Sequence, residues 1–180
     1  MKPYDYSHRT GTLPLTWDDF ARLSAHLAEL LEPSHPEIIV GLARAGLFPA
    51  TAVACSLRCE LYPARLTRRL NDQVITETPV WKVPISPAVS GKVVAVVDEM
   101  CDSGQTLALA AAQALELGAR QVITASLVAH SWAAPAPQLT ALLTDAFVIF
   151  PWDREVRVAG RWVAHPEIEA GLNAQGQSDN

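Results

Sequence analysis

The sequence predicts an α/β fold: an open, mostly parallel, twisted sheet flanked by helices. Two observations carry this expectation. The apolar runs Ile38-Ile39-Val40 and Val93-Val94-Ala95-Val96-Val97 are continuous rather than alternating, as strands covered on both faces are. Each is followed by a stretch of helical composition and then by another strand-like run, the rhythm of strand, crossover helix and parallel strand. In such sheets ligands gather beyond the carboxyl ends of the strands.

Along the chain, residues 1–15 read as an irregular lead-in. Thr16-Trp17-Asp18-Asp19 forms a capping-box pattern, and Phe20, Leu23, Leu27, Leu30 and Leu31 recur at helical spacing, so residues 17–31 form an amphipathic helix ended by Pro33 and Pro36. Residues 37–41 (EIIVG) form a short buried strand stopped by glycine. Residues 47–57 follow as a helix, with Pro49 tolerated in its first turn. Residues 59–65 make a further strand. Residues 66–79 are polar and lack a period, which predicts a long exposed loop or a hairpin; a segment of that length in a compact domain is usually either functional or disordered. Residues 92–97 are the clearest strand. Residues 106–117 are an alanine-rich helix with Gly118 at its C′ position. Strands at 121–128 and 146–150, with a Pro-bearing loop at 133–138 between them, complete the order. No internal repeat or linker interrupts the chain, so one domain over 1–180 is expected, with its core at about 17–153 and a frayed tail at about 171–180.

Composition bounds the function. With 49% hydrophobic and 18% charged residues the 180-residue chain is globular, and its formal charge of −5 without a basic run excludes nucleic acid as the main partner. The first residues lack the apolar stretch of a secretory signal, and no apolar run is long enough to span a bilayer, so a cytoplasmic protein without a membrane partner is expected. Three cysteines, Cys55, Cys59 and Cys101, form no paired framework or zinc pattern and read as reduced thiols. The five histidines are scattered.

The chemistry lies in residues 93–107 (VVAVVDEMCDSGQTL). An apolar strand runs into the adjacent carboxylates Asp98 and Glu99. Three residues after Glu99, Asp102 opens a Ser103-Gly104-Gln105-Thr106 turn into a helix, whose first amides and positive dipole end suit a phosphate. Gly104 permits close backbone approach, and Ser103 and Thr106 add hydroxyls. Carboxylates beside a phosphate cradle make sense when a hydroxyl-rich sugar lies between them. Singly, each residue fits a plain strand-to-helix turn capped by Asp102 or Ser103; as one spaced string they favour the site.

This string resembles the phosphoribosyl pyrophosphate signature of the type I phosphoribosyltransferases, with Asp-Glu in place of the more usual Asp-Asp or Glu-Asp. A second segment, Gly41-Leu42-Ala43-Arg44-Ala45-Gly46, is similar to that family's pyrophosphate loop, with Ala45 where glycine is usual. A third, Asp145-Ala146-Phe147-Val148-Ile149-Phe150-Pro151-Trp152-Asp153, is similar to the base-binding stretch of bacterial xanthine-guanine phosphoribosyltransferases and related proteins.

The resemblance implies a type I phosphoribosyltransferase-like sheet with a small hood. It also implies a Mg²⁺-dependent transfer of phosphoribose to a nucleobase, a purine, in nucleotide salvage by a homodimer. Phosphoribosyl pyrophosphate would be held by Ala43, Arg44, Ala45, Gly46, Asp98, Glu99, Asp102, Ser103, Gly104, Gln105 and Thr106. Arg44 and Asp102 would be catalytic, Arg44 against the pyrophosphate and Asp102 against the base. A cis peptide at Ala43–Arg44 is implied too. Asp98 and Glu99 would meet Mg²⁺ indirectly, and Asp153 is either a water-mediated metal contact or a turn acid facing solvent. A mobile loop at about 66–80 would bring Arg68 or Arg69 over the site, with no choice between the two. Phe147 would stack on the base and the Val148 backbone read its edge, or both belong to a buried strand. His130 stands where 6-oxopurine enzymes carry lysine, as a donor to the base or as a surface histidine whose hydrogen bonds are satisfied. The alternative function is a regulatory protein of the same fold that binds phosphoribosyl pyrophosphate or a nucleotide without catalysis.

Overall fold

In the computed structural model, residues 8–67, 69–70, 73–74 and 79–174 are described. Each apolar run becomes a strand and each intervening amphipathic or alanine-rich stretch a helix. The strands are β1 (Thr12–Pro14), β2 (Ile38–Leu42), β3 (Glu60–Thr67), β4 (Arg69–Leu70), β5 (Gln73–Val74), β6 (Val80–Val83), β7 (Val93–Cys101), β8 (Gln121–Ala129), β9 (Leu139–Leu143), β10 (Phe147–Ile149), β11 (Glu155–Val158) and β12 (Arg161–Ala164). The helices are α1 (Trp17–Leu31), α2 (Leu47–Leu57), α3 (Gln105–Glu116) and α4 (Pro166–Ala174). Helix α1 opens on the predicted capping box. The Thr16 amide donates to Asp19 Oδ2 at 2.9 Å and the Asp19 amide to Thr16 Oγ1 at 3.1 Å, satisfying amides that the helix itself leaves without acceptors.

The chain divides into two compact units. The larger, residues 22–144, holds a six-stranded sheet in the order β6-β3-β2-β7-β8-β9. Its pairs β2/β3, β2/β7, β7/β8 and β8/β9 are parallel and β3/β6 is antiparallel. The wholly apolar faces of β2 and of Val93–Val97 put them at the centre, where both faces are covered. On one face Val40, Leu42, Val94 and Val96 pack with Leu107, Ala110 and Ala114 of α3. On the other, α2 lies so close to β2 that a Cβ on Gly41 would stand 2.7 Å from the Ala50 Cβ. The chain crosses from β2 through α2 to β3 on one side, then returns to place β7 on the other side of β2. The direction of winding therefore reverses between β2 and β7, and the crevice beyond their carboxyl ends is the topological switch point of the sheet.

Among the described residues the second unit comprises 8–21 together with 145–174. In it β1 pairs in parallel with β10, β11 and β12 form a hairpin, and Trp152 stacks on Phe150 with ring centroids 4.8 Å apart.

Several expectations need correction. The lead-in contains β1. The strand expected at 146–150 pairs with β1 rather than closing the main sheet, whose edge is β9. The tail expected to fray from about 171 is helical to Ala174, because Gly171 seats α4 on Phe147: a Cβ there would lie 2.7 Å from the ring. Within 66–79 the antiparallel β4/β5 pair agrees with the hairpin, one of the two readings of that segment. Arg68 lies outside the described residues, and of Arg69 only the backbone is described.

Candidate active site

Two turns meet at the switch point. The first follows β2. Its Ala43–Arg44 peptide is cis, Arg44 is exposed, and the Leu47 and Phe48 amides turn back onto the Arg44 and Ala45 carbonyls as α2 begins. Gly46 is the pivot of this turn. A Cβ there would stand 2.5 Å from the Leu42 carbonyl oxygen and 2.6 Å from Asp98 Oδ1, so only glycine lets the turn close against the carboxylate.

The second turn follows β7, which continues past Val97 through both acids to Cys101, pairing Asp98 with Ser126 and Met100 with Val128 on β8. Asp98 and Glu99 therefore sit in the strand, half-buried, rather than in a loop beyond it. Burial raises the Asp98 carboxyl above the usual aspartate range, opposed by hydrogen bonds from the Glu99 side chain and from the Glu99 amide at 3.0 Å. Burial and the neighbouring Asp98 charge push the Cys101 thiol up to about 11 against a hydrogen bond from the Gly104 amide, so it is a packed thiol rather than a nucleophile.

Gly104, at φ +83°, occupies the N-cap of α3, and no side chain caps this helix. The capping role considered for Asp102 or Ser103 is thus absent. The Ala108 amide closes the first helical turn on the Gly104 carbonyl, which leaves the amides of Gln105 and Thr106 directed out of the helix end. The close approach that demands glycine at 104 is made by the protein itself: a Cβ would stand 2.0 Å from the Pro135 carbonyl oxygen.

The loop after β8 is strapped to this turn. The His130 amide donates to the Cys101 carbonyl at 3.1 Å and the Ala134 amide to the Ser103 carbonyl at 3.2 Å. His130 itself is only 2% exposed. Its Nδ1 lies 2.6 Å from the Thr144 carbonyl oxygen, and its ring stacks on Trp132 at 4.3 Å between centroids. Trp132, which sequence reasoning passed over, donates its indole N–H to Asp102 Oδ1 at 3.0 Å.

Arg44, Ala45, Gly46, Asp98, Glu99, Asp102, the Ser103–Thr106 turn and His130 thus all belong to the larger unit. Phe147, Val148 and Asp153 belong to the second. Phe147 and Val148 are each 8% exposed, while Asp153 is exposed in a turn in which its amide donates to the Phe150 carbonyl at 3.1 Å.

Comparison with known proteins agrees with this geometry. The chain is 27% identical over 161 residues to the xanthine-guanine phosphoribosyltransferase of Nitratidesulfovibrio vulgaris, covering 86% of this chain and 92% of that one. Its structure is similar to that of a purine phosphoribosyltransferase from Pyrococcus horikoshii, with a TM-score of 0.73 at 29% identity over 84% of this chain and 99% of the other. It shares its fold with a hypothetical protein from Neisseria gonorrhoeae solved with bound ppGpp, with a TM-score of 0.69 at 24% identity over 81% and 91% of the two chains. The model of the phosphoribosyl transferase domain matches residues 13–156. A match over that much of the chain, with the acid-to-helix turn at the switch point, establishes that this chain belongs to the phosphoribosyltransferase family, type I.

Proposed function

We propose that the chain is a Mg²⁺-dependent enzyme that moves the phosphoribosyl group of phosphoribosyl pyrophosphate onto a purine base and releases pyrophosphate, working as a homodimer. The observation that carries this reading is the closure of the Arg44 turn onto Asp98 at Gly46, beside a helix start whose first amides point outward. A ligand with a pyrophosphate at one end, hydroxyls in the middle and a 5′-phosphate at the other matches that order of groups. The purine assignment rests on the two purine-specific relatives.

In the reaction the bond from sugar C1 to the pyrophosphate oxygen breaks and its electron pair leaves with the pyrophosphate. A base nitrogen then forms the new bond to C1. Positive charge grows on the ring and negative charge on the leaving group, so catalysis is positioning and electrostatics. Arg44 steadies the departing pyrophosphate with a fixed, always-charged fork. Asp98 and Glu99 hold the ribose hydroxyls, and the 103–106 turn holds the 5′-phosphate. Asp102 meets the base and takes the proton that the new C1–N bond displaces.

The donor set fits a hard cation. Asp98 and Glu99 offer carboxylate oxygens, and among the described residues no three His, Cys, Asp or Glu side chains gather into a cage. Mg²⁺ would therefore take most of its ligands from substrate and water, supplying charge to stabilise the leaving pyrophosphate.

The test offers hypoxanthine, guanine, xanthine, adenine, uracil and orotate with phosphoribosyl pyrophosphate and Mg²⁺, and measures nucleotide formation. A purine should be converted. Asp102→Asn should lower turnover on that base by about 10²–10⁴-fold, with far less change in sugar-phosphate affinity. A wild-type protein that converts no base, yet changes its association with another protein when nucleotide binds, belongs to the regulatory class instead.

A further inference from the structure

We infer that Trp132 is a positioning residue for Asp102, and that His130 is the platform on which Trp132 rests rather than a reader of the base. The inference builds on the role proposed for Asp102 at the base and goes beyond it. The observations are the 3.0 Å bond from Trp132 Nε1 to Asp102 Oδ1, the 4.3 Å stack of Trp132 on His130 with rings 21° from parallel, and the 2.6 Å contact of His130 Nδ1 with the Thr144 carbonyl.

A carbonyl oxygen only accepts, so His130 Nδ1 carries its proton toward Thr144. With that nitrogen engaged and the ring 2% exposed, the imidazole is locked as a flat support at the end of β8. Trp132 lies on it, 37% exposed, and reaches outward to the carboxylate. Two backbone bonds, His130 to Cys101 and Ala134 to Ser103, hold the same two segments in register on either side of this contact.

The chemistry of an indole suits the task. It is a donor only and does not ionise, so it grips one carboxylate oxygen without competing for the proton that Asp102 handles. Fixing Oδ1 sets the plane of the carboxylate and hence the direction of Oδ2. Losing this bond would let Oδ2 lie less well in line with the base, and a small misplacement of a catalytic group is costly in rate.

The test is a double-mutant cycle of Trp132→Phe, Asp102→Ala and the pair. Phenylalanine keeps a ring to stack on His130 and removes the indole N–H, so folding, checked by thermal melting, should survive. If Trp132 acts through Asp102, Trp132→Phe lowers kcat about tenfold, the size expected for losing a hydrogen bond to a charged group, and leaves KM for phosphoribosyl pyrophosphate within about twofold. The pair should then be no slower than Asp102→Ala alone. Independent, multiplying losses, or a Trp132→Phe enzyme as fast as wild type, overturn the inference. If wild type converts no base, the proposed transferase reading fails, and the same cycle is read on the dissociation constant of a purine nucleoside monophosphate. There, a loss in Trp132→Phe that disappears in the Asp102→Ala background supports the positioning role, and its absence overturns it.

Discussion

Gly104 is the residue with least freedom to change. Its φ of +83° is left-handed backbone, which costs a side-chain-bearing residue about 1–2 kcal/mol, and Pro135 leaves no room for a Cβ as well. Gly91 has a similar φ of +74° but open space around its Cα. Gly104→Ala should therefore lower the urea midpoint clearly more than Gly91→Ala, which pays only for its backbone; equal midpoints would show that the Pro135 contact relaxes freely. At this scale the candidate turns could be located from the one-dimensional string. Asp98, Glu99, Asp102, Gly104 and Arg44 are chemically odd where they stand, next to apolar strands. Trp132 could not be read. Nothing local pairs an indole with a carboxylate thirty positions away, and the contact exists only because parallel β7 and β8 end side by side. The reason for Gly104 was half visible: the need for glycine was plain, but the crowding partner is a backbone carbonyl in a distant loop.

Among the elements, the strands of the sheet are clamped at the end opposite the site. Glu37 accepts from Lys92 Nζ at 2.9 Å, from the Val93 amide at 3.0 Å and from Arg120 at 3.0 Å, which gathers the amino ends of β2, β7 and β8 on one carboxylate. The Lys92 hydrogen bond first, then the Val93 amide and both positive charges, hold its carboxyl below the ordinary glutamate range despite some desolvation. A carboxyl depressed in the folded state adds stability above its unfolded pKa and loses it as pH falls through the folded value. The stability gap between wild type and Glu37→Gln, measured by urea unfolding, should thus be open at pH 7 and close below about pH 4.3, the unfolded value. A gap independent of pH would mean that the carboxylate charge is irrelevant. At the start of α1, Thr16→Ala removes the reciprocal cap and should cost about 1 kcal/mol by the same measurement. Helix α1 was readable because its apolar residues keep one period, and the central strands because their apolar runs are continuous. Strand β9, LTALL, was not: its composition is as helical as extended, and its only strand signal is the neighbour it pairs with. The β11–β12 hairpin did carry a signal, alternating residues around Ala159-Gly160, but its exposed side chains give no core-facing run. Strand β7 outran its predicted end because Asp98 and Glu99 look like a boundary and instead continue the ladder.

For the molecule as a whole, α2 suggests where two copies would meet. Its eleven residues, LFPATAVACSL, contain no charge, although Phe48 is 41% exposed and Thr51, Cys55 and Ser56 also face outward. An uncharged helix that leaves a phenylalanine outward fits a contact in the proposed homodimer. Light scattering should therefore report about twice the 19.5 kDa chain mass, and Phe48→Glu should return the 19.5 kDa species without loss of helix content; a variant that stays paired would move the contact elsewhere. The pairing of β1 with β10 has a consequence of another kind, in the timing of synthesis. Leu13 is made well before its partner in the ladder, Val148. At 5–20 residues per second β1 waits on the order of ten seconds, hydrated and without its ladder partner, while the sheet from β2 to β9 can already assemble. An earlier strand thus waits for a much later one before it can find its place, and an obstruction at β1 would act late in folding rather than early.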